Sequence, residues 1–201
     1  MGSDILNIFV SALIVVRRFF LLIFYPYKTM RKISLESDYY QIGIILFLVF
    51  IFFKFAYFLR DKPYPATLIF FVFLTHFFFT IFFFYLFFGL NRKKMRLTSL
   101  LFTFSYALLP SLIWFSSTSL LYILVPPPRT FSLMGRAFSI FFITFSLAIA
   151  AWKIILVYLA LRFSTKQSFY RIIFILVLYL IWFIPYSLFL YYLKLFRIPF
   201  I

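Results

Sequence analysis

Long apolar segments alternate with short links that carry charges or prolines along most of the chain. Five segments are long enough to cross a bilayer, at about residues 40–59, 66–90, 97–125, 135–161 and 169–196. A hydrocarbon core about 30 Å thick requires roughly 20 apolar residues per helix, which each segment supplies. The pattern predicts an all-α membrane protein, built as a bundle of five transmembrane helices.

Residues 5–25 form a further apolar segment, which Arg17 and Arg18 interrupt. Polar side chains recur along it at helical spacing, at Asp4, Asn7, Ser11 and Arg18. Such spacing is typical of an amphipathic helix that lies on the membrane surface. A crossing would place both arginines in the bilayer, at about 2.5–3.5 kcal/mol each near its centre. We therefore expect an N-terminal interfacial helix, with a sixth crossing as the alternative.

Prolines and charges mark the ends of the segments. Pro26 ends the N-terminal helix and a polar stretch, 27–38, follows it. Three consecutive prolines at 126–128 close the third span, because they cannot continue a helix. We divide the chain into residues 1–39, a cytoplasmic-side segment of interfacial helix and polar residues, and residues 40–201, the five-helix transmembrane domain.

The composition argues against a soluble enzyme. Hydrophobic residues make up 66% of the 201 residues and charged residues only 12%, against about 25% charged in soluble domains. Only 4 residues are acidic and none follows Asp61, so proton relays through carboxylates are not expected in most of the transmembrane domain. Cysteine is absent, which excludes disulfides and thiolate ligands. The sequence predicts no cofactor and no metal.

The net charge of +16 is distributed in short basic runs between apolar segments. These runs indicate contact with anionic headgroups, and no nucleic-acid partner is expected. Lys and Arg number five in residues 1–39, four in the link after the second span and three in the link after the fourth, against six on the other face. The positive-inside rule therefore places the N-terminus in the cytoplasm and the C-terminus outside. The basic residues predicted to bind lipid at the interface are Arg17, Arg18, Lys28, Arg31 and Lys32.

Several short patterns are similar to those of one family of membrane proteins. The matching positions are Pro26 with Thr29, Ser105-Tyr106 with Pro110, and Trp152 followed by Ser168 and Arg171. With five spans and a cytoplasmic N-terminus, they resemble the Yip domain family, named for interaction with Ypt/Rab GTPases. The resemblance covers about residues 26–192. The Asp-Leu-Tyr-Gly-Pro segment and the long acidic arm of eukaryotic members are missing, so it implies a prokaryotic-type member in the cytoplasmic membrane and does not support Rab binding.

Lys153 is the deepest cation in the predicted spans. It lies eight residues before Leu161, about 12 Å from the cytoplasmic end of its helix at about 1.5 Å per residue. An ionisable residue at this depth in a membrane is a candidate functional residue. Pro110 interrupts the third span and frees the carbonyl of Tyr106 at a similar depth. We predict a polar intramembrane cluster, with snorkelling of Lys153 to headgroups as the alternative. Its members are Lys153, Tyr106, Pro110, Thr103 and Ser105.

His76 is the single histidine and lies in the second span near Thr75 and Thr80. One histidine without carboxylate or cysteine neighbours does not make a metal site, so we expect a neutral imidazole hydrogen-bonded within the bundle. No catalytic residue is assigned.

These features predict a non-enzymatic integral membrane protein of Yip type that acts through partners in the bilayer. The expected partners are membrane lipids with anionic headgroups, a membrane protein or a second copy of the chain. One alternative is a permease subunit or transporter with a site near the kinked third and fourth spans. Another is an intramembrane lipid-modifying enzyme with Lys153 or His76 as its base. A helix bundle with a filled interior favours the non-enzymatic hypothesis, whereas a buried polar cavity favours the transporter or the enzyme.

Overall fold

The computed structural model describes residues 2–58, 66–89, 96–124 and 133–193. Every regular element in these residues is a helix, which confirms the predicted all-α class. The helices are α1 (Gly2–Phe24), α2 (Pro26–Ile33), α3 (Tyr40–Phe58), α4 (Ala66–Gly89), α5 (Leu97–Tyr106), α6 (Leu109–Leu124), α7 (Leu133–Thr165) and α8 (Phe169–Tyr192). The proline run at 126–128, the charges at 60–62 and most of the basic run at 92–96 lie outside the described residues.

Five helical stretches are long and apolar enough to cross a membrane, which identifies the chain as an integral membrane protein. They are Ile5–Phe24, Ala66–Gly89, Leu97–Leu121, Gly135–Thr165 and Phe169–Tyr192. The number of stretches agrees with the five predicted spans, but the stretches are not the same five. α1 qualifies by length, whereas the apolar part of α3 within the described residues, Tyr40–Phe55, is shorter.

α1 turns Ser11 and Arg18 towards the protein, and most of its outward residues are apolar, although Asn7 and Arg17 are also exposed. Ser11 is buried and Arg18 is half-buried, whereas Leu13, Val16 and Phe20 are exposed. A surface helix would instead present its polar side to water. The predicted interfacial amphipathic placement is therefore not confirmed, because Ser11 and Arg18 have partners inside the bundle.

The third span is interrupted where the sequence predicts it. α5 ends at Tyr106 and α6 begins at Leu109, one residue before Pro110. The backbone N–H of Leu108 donates to the carbonyl of Ser105 at 3.2 Å, a tighter turn than the α-helix allows. Pro110 has no N–H to offer Tyr106, so the helix cannot continue regularly through this point. Pro185, by contrast, lies within a continuous α8.

Aromatic side chains fill the interior along one stripe of α4. The buried positions of this helix are Ala66, Ile69, Phe73, Phe77, Ile81, Phe84 and Phe88. Their spacing of three and four residues defines one helix face. Phe84 packs against Phe104 of α5 with ring centroids 5.5 Å apart, and Phe52 of α3 stacks on Phe115 of α6 at 4.1 Å. Phe71, Phe78, Phe79, Phe82 and Phe87 are exposed, so the Phe-rich runs supply both core and lipid-facing surface.

The start of α3 is recessed within the bundle. The ring of Tyr39 packs against Phe102 at 5.6 Å, and Gln41 bonds the hydroxyl of Tyr106. Phe102 and Tyr106 lie about 8 and 14 Å from the first residue of α5 at about 1.5 Å per residue. The link between α2 and α3 therefore places polar residues deeper in the bundle than the start of α5.

Candidate functional site

A network of polar side chains joins α1, the α2–α3 link, α3 and α5. Arg18 donates from Nη1 to Oε1 of Gln41 at 2.6 Å and from Nη2 to a carboxylate oxygen of Glu36, with which it forms an ion pair. The hydroxyl of Tyr106 donates to the same Gln41 oxygen at 2.6 Å. The guanidinium carbon of Arg18 lies 5.8 Å from the Tyr106 ring centroid, a cation–π distance. Each charged or polar group thus has a partner of complementary chemistry.

Asp38 extends this network towards the N-terminal half of α1. Its Oδ2 accepts from the hydroxyl of Ser11 at 2.6 Å and from Nε2 of Gln41 at 3.0 Å, while Oδ1 accepts the backbone N–H of Tyr40 at 3.2 Å. Both carboxylates of the link, Glu36 and Asp38, are therefore directed inward.

The two carboxylates are held in their charged form. Partial burial alone would raise the pKa of Glu36, but the hydrogen bond and positive charge of Arg18, with the backbone N–H of Ser37, outweigh it and the pKa is lowered. Burial acts on Asp38 in the same way, and hydrogen bonds from Ser11 and Gln41 lower its pKa below the ordinary value. Both groups therefore remain ionised at neutral pH.

The predicted lipid-binding set divides into one inward and four outward residues. Arg18 is committed to Glu36 and Gln41, so its assignment to lipid headgroups is replaced by a role inside the bundle. The other four, Arg17, Lys28, Arg31 and Lys32, are exposed. The spacing of Ser11 and Arg18 on one face of α1 could have indicated an inward polar face. It could not identify their partners, which lie 18 to 27 residues further along the chain.

A second group of hydroxyls joins α5 to α7. Thr103 Oγ1 lies 2.8 Å from Ser164 Oγ, and Ser164 donates to the carbonyl of Ser99 at 3.1 Å. Ser99 in turn donates to the backbone carbonyl of Ser34 in the link after α2 at 2.8 Å. These bonds fasten α5, α7 and the α2–α3 link at one end of the bundle.

Three members of the predicted intramembrane cluster form hydrogen bonds with residues outside it. Tyr106 bonds Gln41, Thr103 bonds Ser164, and Ser105 donates to the carbonyl of its own helix at Leu101. Pro110 is buried at the start of α6. Within the described residues, Lys153 forms no hydrogen bond with any of the other four. Gln41 at the start of α3 and Ser164 near the end of α7 bond the side chains for which Lys153 was the predicted partner.

His76 lies in a separate polar group between α4 and α8. Its Nε2 lies 3.3 Å from both Thr80 Oγ1 and Tyr179 Oη, which are 2.8 Å from each other. The imidazole packs against Phe183 at 4.9 Å and stacks on Tyr186 at 5.5 Å. The expected hydrogen bonding of the imidazole within the bundle is confirmed, with Tyr179 as a partner that sequence spacing did not indicate.

Short α2 presents a basic outer face beside the end of α7. Thr29, Met30 and Ile33 are buried, whereas Lys28, Arg31 and Lys32 are exposed. The ring of Tyr27 packs against Phe163 of α7 at 4.8 Å. This contact brings α2 alongside two further exposed cations, Arg162 and Lys166. We refer to Lys28, Arg31, Lys32, Arg162 and Lys166 as the basic face.

A shallow groove of about 560 Å³ lies between α1 and α3. Ile8, Ile44 and Phe47 contribute apolar walls, and Asp38 lies at its polar end. A Cβ atom added at Gly43 would meet no atom within 4 Å, so the groove is open at this position. Within the described residues, no three potential ligands among His, Cys, Asp and Glu converge on a metal site.

Comparison of the chain with protein-family models, with curated proteins and with solved structures finds no match.

Proposed function

We propose that this integral membrane protein is a non-enzymatic, Yip-type component of the cytoplasmic membrane that acts by binding anionic lipid headgroups through the basic face. The observation that carries the proposal is the sorting of charge around α2. Cations point outward from α2 and from the end of α7, while Glu36 and Asp38 of the adjoining link are turned inward. The outward charge is therefore not neutralised by these neighbouring carboxylates.

The chemistry of the basic face suits a membrane surface. Each Lys or Arg near an anionic bilayer surface contributes about 1 kcal/mol of attraction, and the contributions of several accumulate. The buried side of α2, with Met30 and Ile33, holds the helix against the bundle so that its cations are presented together. In this proposal the basic face lies on the cytoplasmic side, as the positive-inside rule favours.

The interior supports a binding role over a transport or catalytic one. The inward-facing polar side chains form hydrogen bonds with one another or with Gln41, as for Arg18, Glu36, Asp38 and Tyr106. The ring of Phe19 packs against Tyr106. Such a filled, cross-bonded interior resembles a scaffold that holds outer surfaces in fixed positions.

A paired charge removal tests the proposal. Purified protein is melted with phosphatidylcholine alone and with added phosphatidylglycerol. We expect the anionic lipid to raise Tm for the native chain and much less for the double variant Arg31→Gln/Lys32→Gln. The matched control is Lys54→Gln/Arg136→Gln, which removes the same charge far from α2 and should keep the response. An equal response in both variants would exclude the basic face as the lipid site.

A further inference from the structure

The shallow groove between α1 and α3 joins an apolar wall to a carboxylate. Ile8 of α1 and Ile44 and Phe47 of α3 form the wall, and Asp38 lies at the polar end. The wall extends about 10 Å along α3 beyond its first residue, at about 1.5 Å per residue. The volume of about 560 Å³ lies within the range of about 300–1,000 Å³ that is usual for ligand sites. The groove therefore suits an elongated apolar group that ends in a polar one.

Asp38 has capacity for one further hydrogen bond. Its Oδ2 accepts two hydrogen bonds from side chains, whereas its Oδ1 accepts one from the backbone. A carboxylate offers about four acceptor positions, so one remains on Oδ1. Within the residues that the structure describes, Asp38 forms no ion pair, because Arg18 pairs with Glu36 instead. The negative charge at the end of the groove can therefore take a cationic donor.

Gly43 of α3 lines the same groove. Glycine is a weaker helix former than alanine, so its presence inside a helix usually reflects close packing or a left-handed backbone. Neither holds at this position, because a Cβ atom would meet nothing within 4 Å and no described glycine has a positive φ. The space that the missing side chain leaves is therefore available to a molecule from outside the chain.

The chemistry of the two ends selects that molecule. In a bilayer, lipid acyl chains supply the apolar group that the wall accepts, and the carboxylate attracts cationic headgroups and repels anionic ones. A primary ammonium donates strong, charge-assisted hydrogen bonds to a carboxylate, whereas the quaternary ammonium of phosphatidylcholine has no N–H to donate. Ser37 is exposed at the same end of the groove, so a headgroup can reach Asp38 from outside the bundle.

We propose that the groove between α1 and α3 binds an aminophospholipid of the surrounding bilayer, such as phosphatidylethanolamine. In this site the lipid ammonium donates to Oδ1 of Asp38, and the hydroxyl of Ser37 donates to the adjoining phosphate. One acyl chain lies against Ile44 and Phe47. The site is separate from the basic face, which binds anionic lipid through its cations, so failure of one leaves the other intact.

Competition between two lipids tests this site directly. Purified protein in detergent is incubated with equimolar phosphatidylethanolamine and phosphatidylcholine that carry the same acyl chains, and the bound lipids are identified by native mass spectrometry. We expect phosphatidylethanolamine to bind about tenfold more often, the effect of one charge-assisted hydrogen bond. Equal binding, as expected of lipid that only covers an apolar surface, would overturn the proposal, whatever the response of the basic face to phosphatidylglycerol.

Variants assign the preference to the groove. Gly43→Leu fills the groove without a clash at Cβ and should abolish the preference for phosphatidylethanolamine. The matched control is Gly89→Leu on α4, where a Cβ atom would make an ordinary contact with the Tyr85 ring at 3.9 Å, and the preference should remain.

Asp38→Asn keeps a side-chain oxygen but removes the charge, and should bring the binding of the two lipids close to equality. A preference at the native level in either Gly43→Leu or Asp38→Asn would overturn the site. Gly43→Leu decides the matter if Asp38→Asn does not fold.

Discussion

Arg18 of α1 and Tyr106 of α5 donate to the same acceptor, the side-chain oxygen of Gln41, each at 2.6 Å. Two helices are thereby joined through a third at a buried point, where Gln41 is 1% exposed. Replacing this glutamine by an apolar residue leaves Nη1 of Arg18 and the hydroxyl of Tyr106 without their shared acceptor, although Arg18 keeps its ion pair with Glu36.

Gln41→Leu should therefore lower the free energy of unfolding by about 1–3 kcal/mol for each orphaned donor. Thermal melting in detergent measures the loss. Tyr170→Phe, which removes a hydroxyl from a side chain that is 84% exposed, serves as the control and should melt like the native chain. Indistinguishable melting of Gln41→Leu and the native protein would show that the shared acceptor contributes no stability.

The Arg18–Glu36 pair should weaken in acid. The pKa of Glu36 is lowered in the folded protein from an ordinary 4.5, so its contribution is present above that value and is lost as the pH falls through the lower folded pKa. The melting difference between the native chain and Glu36→Gln should consequently be constant near neutrality and shrink below about pH 4.5. A difference that stays the same down to pH 3 would exclude titration of Glu36 as its source.

The side on which the N-terminus lies depends on α1. Its outward face is apolar except at Asn7 and Arg17. Ile8 lines a groove with Phe47, beyond the first turn of α3, so we expect α1 to cross the bilayer alongside α3. Since cysteine is absent from the sequence, single cysteines at Ser3 and at Leu35 can be labelled with an impermeant reagent in intact cells. We expect them to react from opposite sides. Reaction from the same side would restore the interfacial helix and the cytoplasmic N-terminus.

The hydroxyl contacts between α5 and α7 should make a small contribution to the stability of the fold. Thr103→Val keeps the shape of the side chain but removes its bond to Ser164, and interhelical bonds in membranes contribute about 0.6 kcal/mol on average. Ser105→Ala is the matched control, because Ser105 bonds only the carbonyl of Leu101 in its own helix. Thr103→Val should melt below the control. The reverse order would indicate that packing, and not the interhelical bond, determines stability here.

Apolar length and proline placement were enough to predict the long helices and the break at Pro110, because both depend on residues near one another in sequence. The short helix α2 was not predicted. The side-chain partners were not predictable in the same way. Tyr106 lies at the depth expected for a partner of Lys153, but Gln41, 65 residues earlier, occupies its hydroxyl. That outcome depends on the recessed start of α3, which no local pattern encodes. Matching depths along helices could not identify Gln41 as the neighbour of Tyr106.

The inward orientation of Arg18 also constrains how the chain can enter a membrane. Its partners Glu36 and Gln41 are synthesised after it, so an isolated α1 would hold an unpaired guanidinium among lipid tails. The ion pair becomes possible only when the link and the beginning of α3 have followed it out of the ribosome. We therefore expect α1 and α3 to insert as one hairpin. Until Glu36 has been synthesised, Arg18 should remain at the bilayer surface.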